Sequence, residues 1–234
     1  PFYPGGVTPG DWNSRTYIQD GLVFQLDGLD GLTDSGWRDL IGSVVFDVSN
    51  SEHTDNALIC PPAISHNAID AIPDRRDNVT LEVAFEGRGG IFVQSNTKLS
   101  ATYYNNRVTV RNETSESVNA TLDNVVMGRS CTLSCNQSKV VLNGRRIAIT
   151  EIYRGSTSAK VCLGGYNASS HVLNGKIHAV RVYSRLLTDD EIYYNQLVDN
   201  VRFGLGLDLA GGIVPYVPSR SVSRTLDFVE DNDR

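Results

Sequence analysis

The sequence predicts an all-β fold of the sandwich or barrel kind, closed by one short helix, and three features predict it. The first is a succession of short apolar runs punctuated by turn residues, the pattern of packed antiparallel sheets. The second is Asn143-Gly144 between two apolar runs, a hairpin signal because both residues tolerate the positive φ of a tight turn. The third is the stretch from Asn174 to Ile192. There a strand-like run containing Ile177, Ala179, Val180, Val182 and Tyr183, entered through Asn174-Gly175, passes straight into a helix start. Thr188 with Glu191 three residues later forms the capping box of that helix.

Residues 1–20 carry Pro1, Pro4 and Pro9 with three glycines, which favours an extended arm. The globular body begins at Gly21. Leu22 to Asp27 reads as a strand, Gly28 to Gly36 as a Gly- and Asp-rich loop, and Trp37 to Gly42 leads into Val44 to Val48. Further strands are predicted over 79–86, 90–94, 107–111, 118–122, 125–135, 139–142, 146–149 and 159–163. The helix runs from Asp189 to about Phe203, with Tyr194, Leu197, Val198 and Val201 at i, i+3, i+4 and i+7 as an apolar stripe for packing on a sheet.

Beyond Gly204 the composition changes. Leu205, Leu207, Leu209, Ile213, Val214, Tyr216 and Val217 stand among glycines and prolines, ahead of a polar end. Those apolar side chains are too many to leave in water, so the segment is predicted to be an assembly arm lying against a neighbouring copy or another protein. The division that follows is an N-terminal arm (1–20), a sandwich (21–203) and a C-terminal arm (204–234).

At 234 residues with 40% hydrophobic content the chain can bury one substantial core. No apolar run is long enough to span a membrane, so no membrane insertion is expected, and the first residues lack the basic start and apolar centre of a signal peptide. The net charge of −6, from 27 acidic against 21 basic residues, argues against nucleic acid as a partner, because that binding is driven by neutralising phosphates. Four cysteines are present: Cys60, Cys131, Cys135 and Cys162. Cys131 and Cys135 lie roughly 13 Å apart along one strand, too far to bridge, and read as small core residues.

The run Gly175-Lys176-Ile177-His178-Ala179-Val180-Arg181-Val182-Tyr183, continued by Arg185, Leu187, Thr188, Glu191 and Ile192, resembles the closing strand of laminin-G-like domains in the concanavalin A-like lectin/glucanase superfamily, in their bacterial and phage form. Gly21 to Gly28 resembles the family's opening strand. Trp37-Arg38-Asp39-Leu40-Ile41-Gly42 resembles its W-x-D-L element with Ile41 in place of Ser, and Val79 to Glu86 a central strand. The resemblance covers about residues 21–203, neither arm included, and implies a jelly-roll sandwich of two antiparallel sheets with one short C-terminal helix.

Glycoside hydrolases of that superfamily carry an E-h-D-h-E strand. Here the match is Glu82-Val83-Ala84-Phe85-Glu86, with Ala84 at the aspartate position, so the two glutamates read as a solvated pair and no catalytic residue is assigned. His53, His66, His171 and His178 are scattered singly. Asp27, Asp30 and Asp34 lie in or beside one loop and are the candidate ligands for calcium, the one cofactor in view. Tyr103, Tyr104, Asn105, Asn106, Tyr166 and Asn167 combine aromatic faces with amides in predicted loops, and are the candidate glycan-binding set. The resulting expectation is a non-enzymatic module on a virion surface, namely a phage capsid decoration, head fibre or tail component, with surface glycans as candidate ligands for host attachment. A glycan hydrolase of the same superfamily and an adhesin of the bacterial cell surface or extracellular space are the alternatives.

Overall fold

In the computed structural model the structure is described for residues 11–60, 62–66, 78–95, 100–104, 107–111, 117–121, 130–136, 139–148, 160–165 and 172–215. Among these residues lie β1 (Leu22–Asp27), β2 (Leu32–Thr33), β3 (Gly36–Arg38), β4 (Val45–Asp47), β5 (His53–Thr54), β6 (Ala57–Cys60) and β7 (Ile64–His66). They are followed by β8 (Thr80–Ser95), β9 (Ser100–Tyr104), β10 (Arg107–Arg111), β11 (Ser117–Thr121), β12 (Ser130–Cys135), β13 (Lys139–Leu142), β14 (Arg145–Ala148), β15 (Lys160–Leu163), β16 (Asn174–Tyr183), α1 (Asp189–Arg202) and β17 (Val214–Pro215).

The 16-residue strand β8 organises the sandwich, and it corrects the two separate strands predicted over 79–86 and 90–94. Its first half pairs with β12 and β16, so that Val83 faces Leu133 on one side and Val180 on the other. Its second half pairs with β9 and β15. Between the halves the strand turns from one sheet into the other at Gly87 and Gly89, whose φ angles are 96° and 132°. A Cβ on Gly87 would lie 2.1 Å from the Asn174 carbonyl oxygen, and one on Gly89 2.3 Å from that of Val172, so only glycine permits the close crossing. Two antiparallel sheets are thus joined through one corner strand, as in sandwiches whose strands switch sheets. The Asn143-Gly144 turn joins β13 to β14 with φ of 48° and 73°, as predicted.

Alternation along β8, β12 and β16 sends Leu81, Val83, Phe85, Leu133, Val180 and Val182 into the main core, which also takes Phe24, Leu26 and Trp37. All four cysteines are buried; burial pushes the Cys60 thiol up to about 12 and the Cys131 thiol to about 11. The opposite face of the first sheet is covered as well. There Ala84 and Ala179, register partners, leave room for Phe203 and Leu205 to settle on the sheet.

Helix α1 is capped as predicted. Thr188 Oγ1 accepts from Glu191 N, and Glu191 Oε2 accepts from Thr188 N. Its buried face differs from the predicted stripe: Ile192, Asn195, Gln196, Val198 and Asp199 point inward, while Val201 is 42% exposed and Tyr194 lies half-buried against Trp12. The inward face is largely polar because the sheet beneath it is polar too. Gln196, for instance, accepts from Gly144 N at 2.9 Å.

The two arms require a similar correction. Tyr17 is buried, and Ile18 packs beside Leu22 and Tyr183. On the C-terminal side Leu205 and Leu209 are buried, Leu207 packs beside Phe203, Ile213 packs beside Val141, and Val214 pairs with Arg145 through β17. This chain's own sheet therefore covers the apolar residues of the predicted assembly arm up to Ile213, while Tyr216 and Val217 fall outside the described residues.

Thr188→Ala removes the side-chain acceptor of the capping box and should lower stability by about 1 kcal/mol, read as a shift of the urea midpoint with unchanged slope.

Candidate functional site

Beneath α1 the sheet carries a buried ionic cluster. Glu82 on β8 and Arg181 on β16 are register partners, and Ser134 on β12 is Glu82's partner on the other side, so the pleat places all three on the helix-facing surface. Arg181 Nε donates to Glu82 Oε2 at 3.0 Å, and its Nη1 and Nη2 donate to the two oxygens of Asp199 at 2.8 and 2.6 Å. Ser134 Oγ and Asn195 Nδ2 each donate to Glu82 at 2.8 Å. The Tyr17 hydroxyl donates to Asp199 at 2.9 Å while its ring lies 4.0 Å from the Arg181 guanidinium carbon. Arg181, Glu82 and Asp199 are each 1% exposed. Burial raises the Glu82 carboxyl above its usual range against the pull of Arg181. Burial also opposes the charge on Arg181, but Asp199, Tyr17 and Glu82 outweigh it and hold the guanidinium protonated. Glu82 is thus no solvated glutamate. Glu86 is the more open of the two, with His178 Nε2 3.0 Å from its Oε1.

The polar network continues toward the surface through Arg202, whose guanidinium carbon stands 5.6 Å from the Tyr17 ring. Its Nη2 donates to Asp27 Oδ1 at 2.8 Å and to Asp30 Oδ2 at 3.2 Å. Asp27 is fully buried and also accepts from Leu29 N, and Asp30 accepts from Ser14 N at 2.8 Å. Burial pushes the Asp27 carboxyl up to about 6 despite Arg202. Asp30 is shifted the other way: partial burial would raise it, but its bonds to Ser14 and Arg202 hold it below the usual range. The predicted calcium loop is therefore organised around a guanidinium. Asp34 does not join it, being fully exposed with His53 Nε2 3.1 Å away. Among the described residues no three carboxylate, imidazole or thiol groups converge on one point.

Asp30 opens onto a surface cleft of about 460 Å³, lined by Ser14, Arg15, Gln19, Gln25, Asp30, Arg38, Leu40 and Ile41. Gln25 is the buried member of that set, its amide donating to Ser14 O at 2.9 Å. The other wall is shaped by Asp39 of the W-x-D-L element, which accepts from the backbone N–H groups of Gln25, Ile41 and Gly42 at 2.9, 3.1 and 2.9 Å. The Leu40 N–H in turn donates to Gln25 O at 2.8 Å. The cleft thus holds an amide, hydroxyl, carboxylate and guanidinium groups beside the 45% exposed side chain of Ile41.

The candidate glycan set is placed elsewhere. Tyr103 and Tyr104 end β9, opposite Val108 and Arg107 of β10 in the second sheet. Asn105, Asn106, Tyr166 and Asn167 lie outside the described residues. Sequence reasoning missed Ser14, Arg15 and Gln19 because Pro and Gly dominate the first ten residues. The adjacent apolar pair Tyr17-Ile18 was the available sign that the segment packs.

No protein-family profile matches the chain, and no curated protein does. Solved structures do. Trypanosoma rangeli sialidase in complex with sialic acid aligns at 16% identity with a TM-score of 0.55, over 80% of this chain and 34% of the sialidase. The same enzyme in complex with a difluorinated keto-deoxy-nononic acid aligns at 14% identity and 0.57, with the same coverage. A point mutant of HCR/D aligns at 12% identity and 0.57, over 80% of this chain and 52% of HCR/D. The chain thus spans about a third of the sialidase it matches. At these identities the likeness shows the fold alone, a sheet-rich sandwich. It also corrects the expectation of a non-enzyme: about a third of a sialidase carries this fold, so the missing aspartate at Ala84 removes one glycosidase constellation and does not by itself mark the chain as a non-enzyme.

Arg181→Met would leave Glu82 and Asp199 buried without their cation and should cost roughly 3–5 kcal/mol, whereas Glu82→Gln should cost less; urea melts of both variants check the order. The Asp27 carboxyl should titrate near 6 by carbon-13 NMR. Because its folded value lies above the unfolded one, its contribution to stability is present below about pH 4 and is lost as the pH rises through about 6, and Asp27→Asn should remove that part of the pH dependence.

Proposed function

We propose that the chain is a glycan-recognition domain of the laminin-G-like kind, and that the cleft over Gln25 receives the sugar. The observation that carries this is the lining: an amide fixed at the base by Ser14 and the Asp39-braced loop, with charged donors and acceptors and one exposed aliphatic chain at the rim. A pyranose offers ring hydroxyls to such polar groups and a C–H face to such an apolar one. The sialic acid named in the sialidase complex is consistent with this class of ligand.

The test is a glycan array followed by calorimetry on the best ligand. Gln19→Ala and Ile41→Ala, both surface changes, should each weaken binding about tenfold, equivalent to about 1.4 kcal/mol. An array without a hit, or unchanged affinity in both variants, rejects the cleft.

A second reading, hydrolysis of the bound glycan, would use Asp30, the one carboxylate in the cleft lining. It requires release of new reducing ends that Asp30→Asn abolishes; no release from any arrayed glycan rejects it. Placement on a virion, a bacterial surface or in the extracellular space rests on the laminin-G-like resemblance alone, and an assembly role for the tail now rests on residues beyond Pro215, including Tyr216 and Val217.

A further inference from the structure

We infer that the sugar taken by this cleft is anionic, carrying a carboxylate or sulfate that Arg15 and Arg38 bind together; this rests on the glycan-recognition reading. Most guanidinium groups around the cleft and the helix are already committed to acids: Arg181 to Glu82 and Asp199, Arg202 to Asp27 and Asp30, Arg185 to Glu191 and Asp20, Arg146 to Asp189. Arg15 and Arg38 differ. Both line the cleft, both are exposed, and neither side chain has an acidic partner among the described residues, in a chain whose acids outnumber its bases by 27 to 21.

The one carboxylate in the cleft, Asp30, offsets only part of them, because it accepts from Ser14 N–H and shares the Arg202 guanidinium with Asp27. The remaining lining is neutral, so with two guanidinium groups against one partly neutralised carboxylate the charge facing a ligand is net positive. Both stand on braced backbone. The Arg15 N–H donates to Asn13 Oδ1 at 2.9 Å within a turn closed by Thr16 N to Asn13 O. Arg38 ends β3, pairs with Val45 and donates its N–H to Gly31 O at 3.0 Å. A planar fork on a fixed backbone suits bidentate recognition of a carboxylate or sulfate, and two of them discriminate against a neutral sugar.

Calorimetry at fixed ionic strength with three matched oligosaccharides, one built on uronic acid, one sulfated and one neutral, tests this. At least one acidic ligand should bind ten times or more tighter than the neutral one, and which of the two does so identifies the anion. Arg15→Gln and Arg38→Gln should each reduce that preference at least fivefold and the double variant abolish it. Arg145→Gln, which removes an exposed arginine outside the cleft lining, should leave it unchanged, with circular dichroism confirming the fold of each variant. Equal binding of neutral and acidic ligands, or loss of preference in Arg145→Gln as well, overturns the anion assignment while leaving glycan recognition standing. Failure of any oligosaccharide or arrayed glycan to bind overturns the underlying reading instead.

Discussion

The guanidinium of Arg181, sealed between β8, β16 and α1, is the interaction on which the arrangement of this protein depends. A charge this deeply buried is tolerated only with its counter-charges and hydrogen bonds in place, and Glu82, Asp199, Asn195, Ser134 and Tyr17 supply them from four separate segments. Each segment is held in one position by that requirement. The helix cannot rotate to bury Val201 without withdrawing Asp199, and the N-terminal segment cannot lift away without exposing the cluster through Tyr17.

This polar layer explains why one sheet has two buried faces of different character. Toward the second sheet the residues are apolar and pack by volume. Toward the helix they are charged or small, with Ala84 and Ala179 admitting Phe203 and Leu205 while Glu82 and Arg181 meet their partners. The glycine corner in β8 lets both surfaces belong to one continuous strand. The alanine that breaks the glucanase pattern therefore has a packing role here, since a longer side chain would meet Phe203 and Leu205.

From Arg181 the network runs through Tyr17 and Arg202 to Asp27 and Asp30, and so reaches the cleft. The cleft is consequently supported by a buried, hydrogen-bonded polar network. Asp39 performs the same service on the opposite wall, with three backbone N–H groups converging on one carboxylate. A recognition surface whose lining is fixed in this way loses little entropy on binding.

Local signals determined much of the fold. The strand periodicities, the Asn143-Gly144 turn, the Thr188 capping box and the buried cysteines were all legible, because each depends on neighbours in sequence or on the ordinary burial of a residue type. The W-x-D-L element was visible as a motif, but its use of Asp39 to brace the wall of a cleft was not. What only the tertiary structure decided is where polarity is buried. The apolar stripe predicted for the helix is buried only in part, at Val198, because Asn195, Gln196 and Asp199 face inward to answer Glu82, Arg181 and Gly144, partners 18 to 113 residues away in the chain. The partners of the candidate calcium loop and of the two arms were hidden for the same reason: Asp27 and Asp30 are claimed by Arg202, Tyr17 by Asp199, and Leu205 by Ala84 and Ala179. A periodicity rule assumes that what is buried is apolar, and a charge can be buried only beside a partner that the fold brings to it.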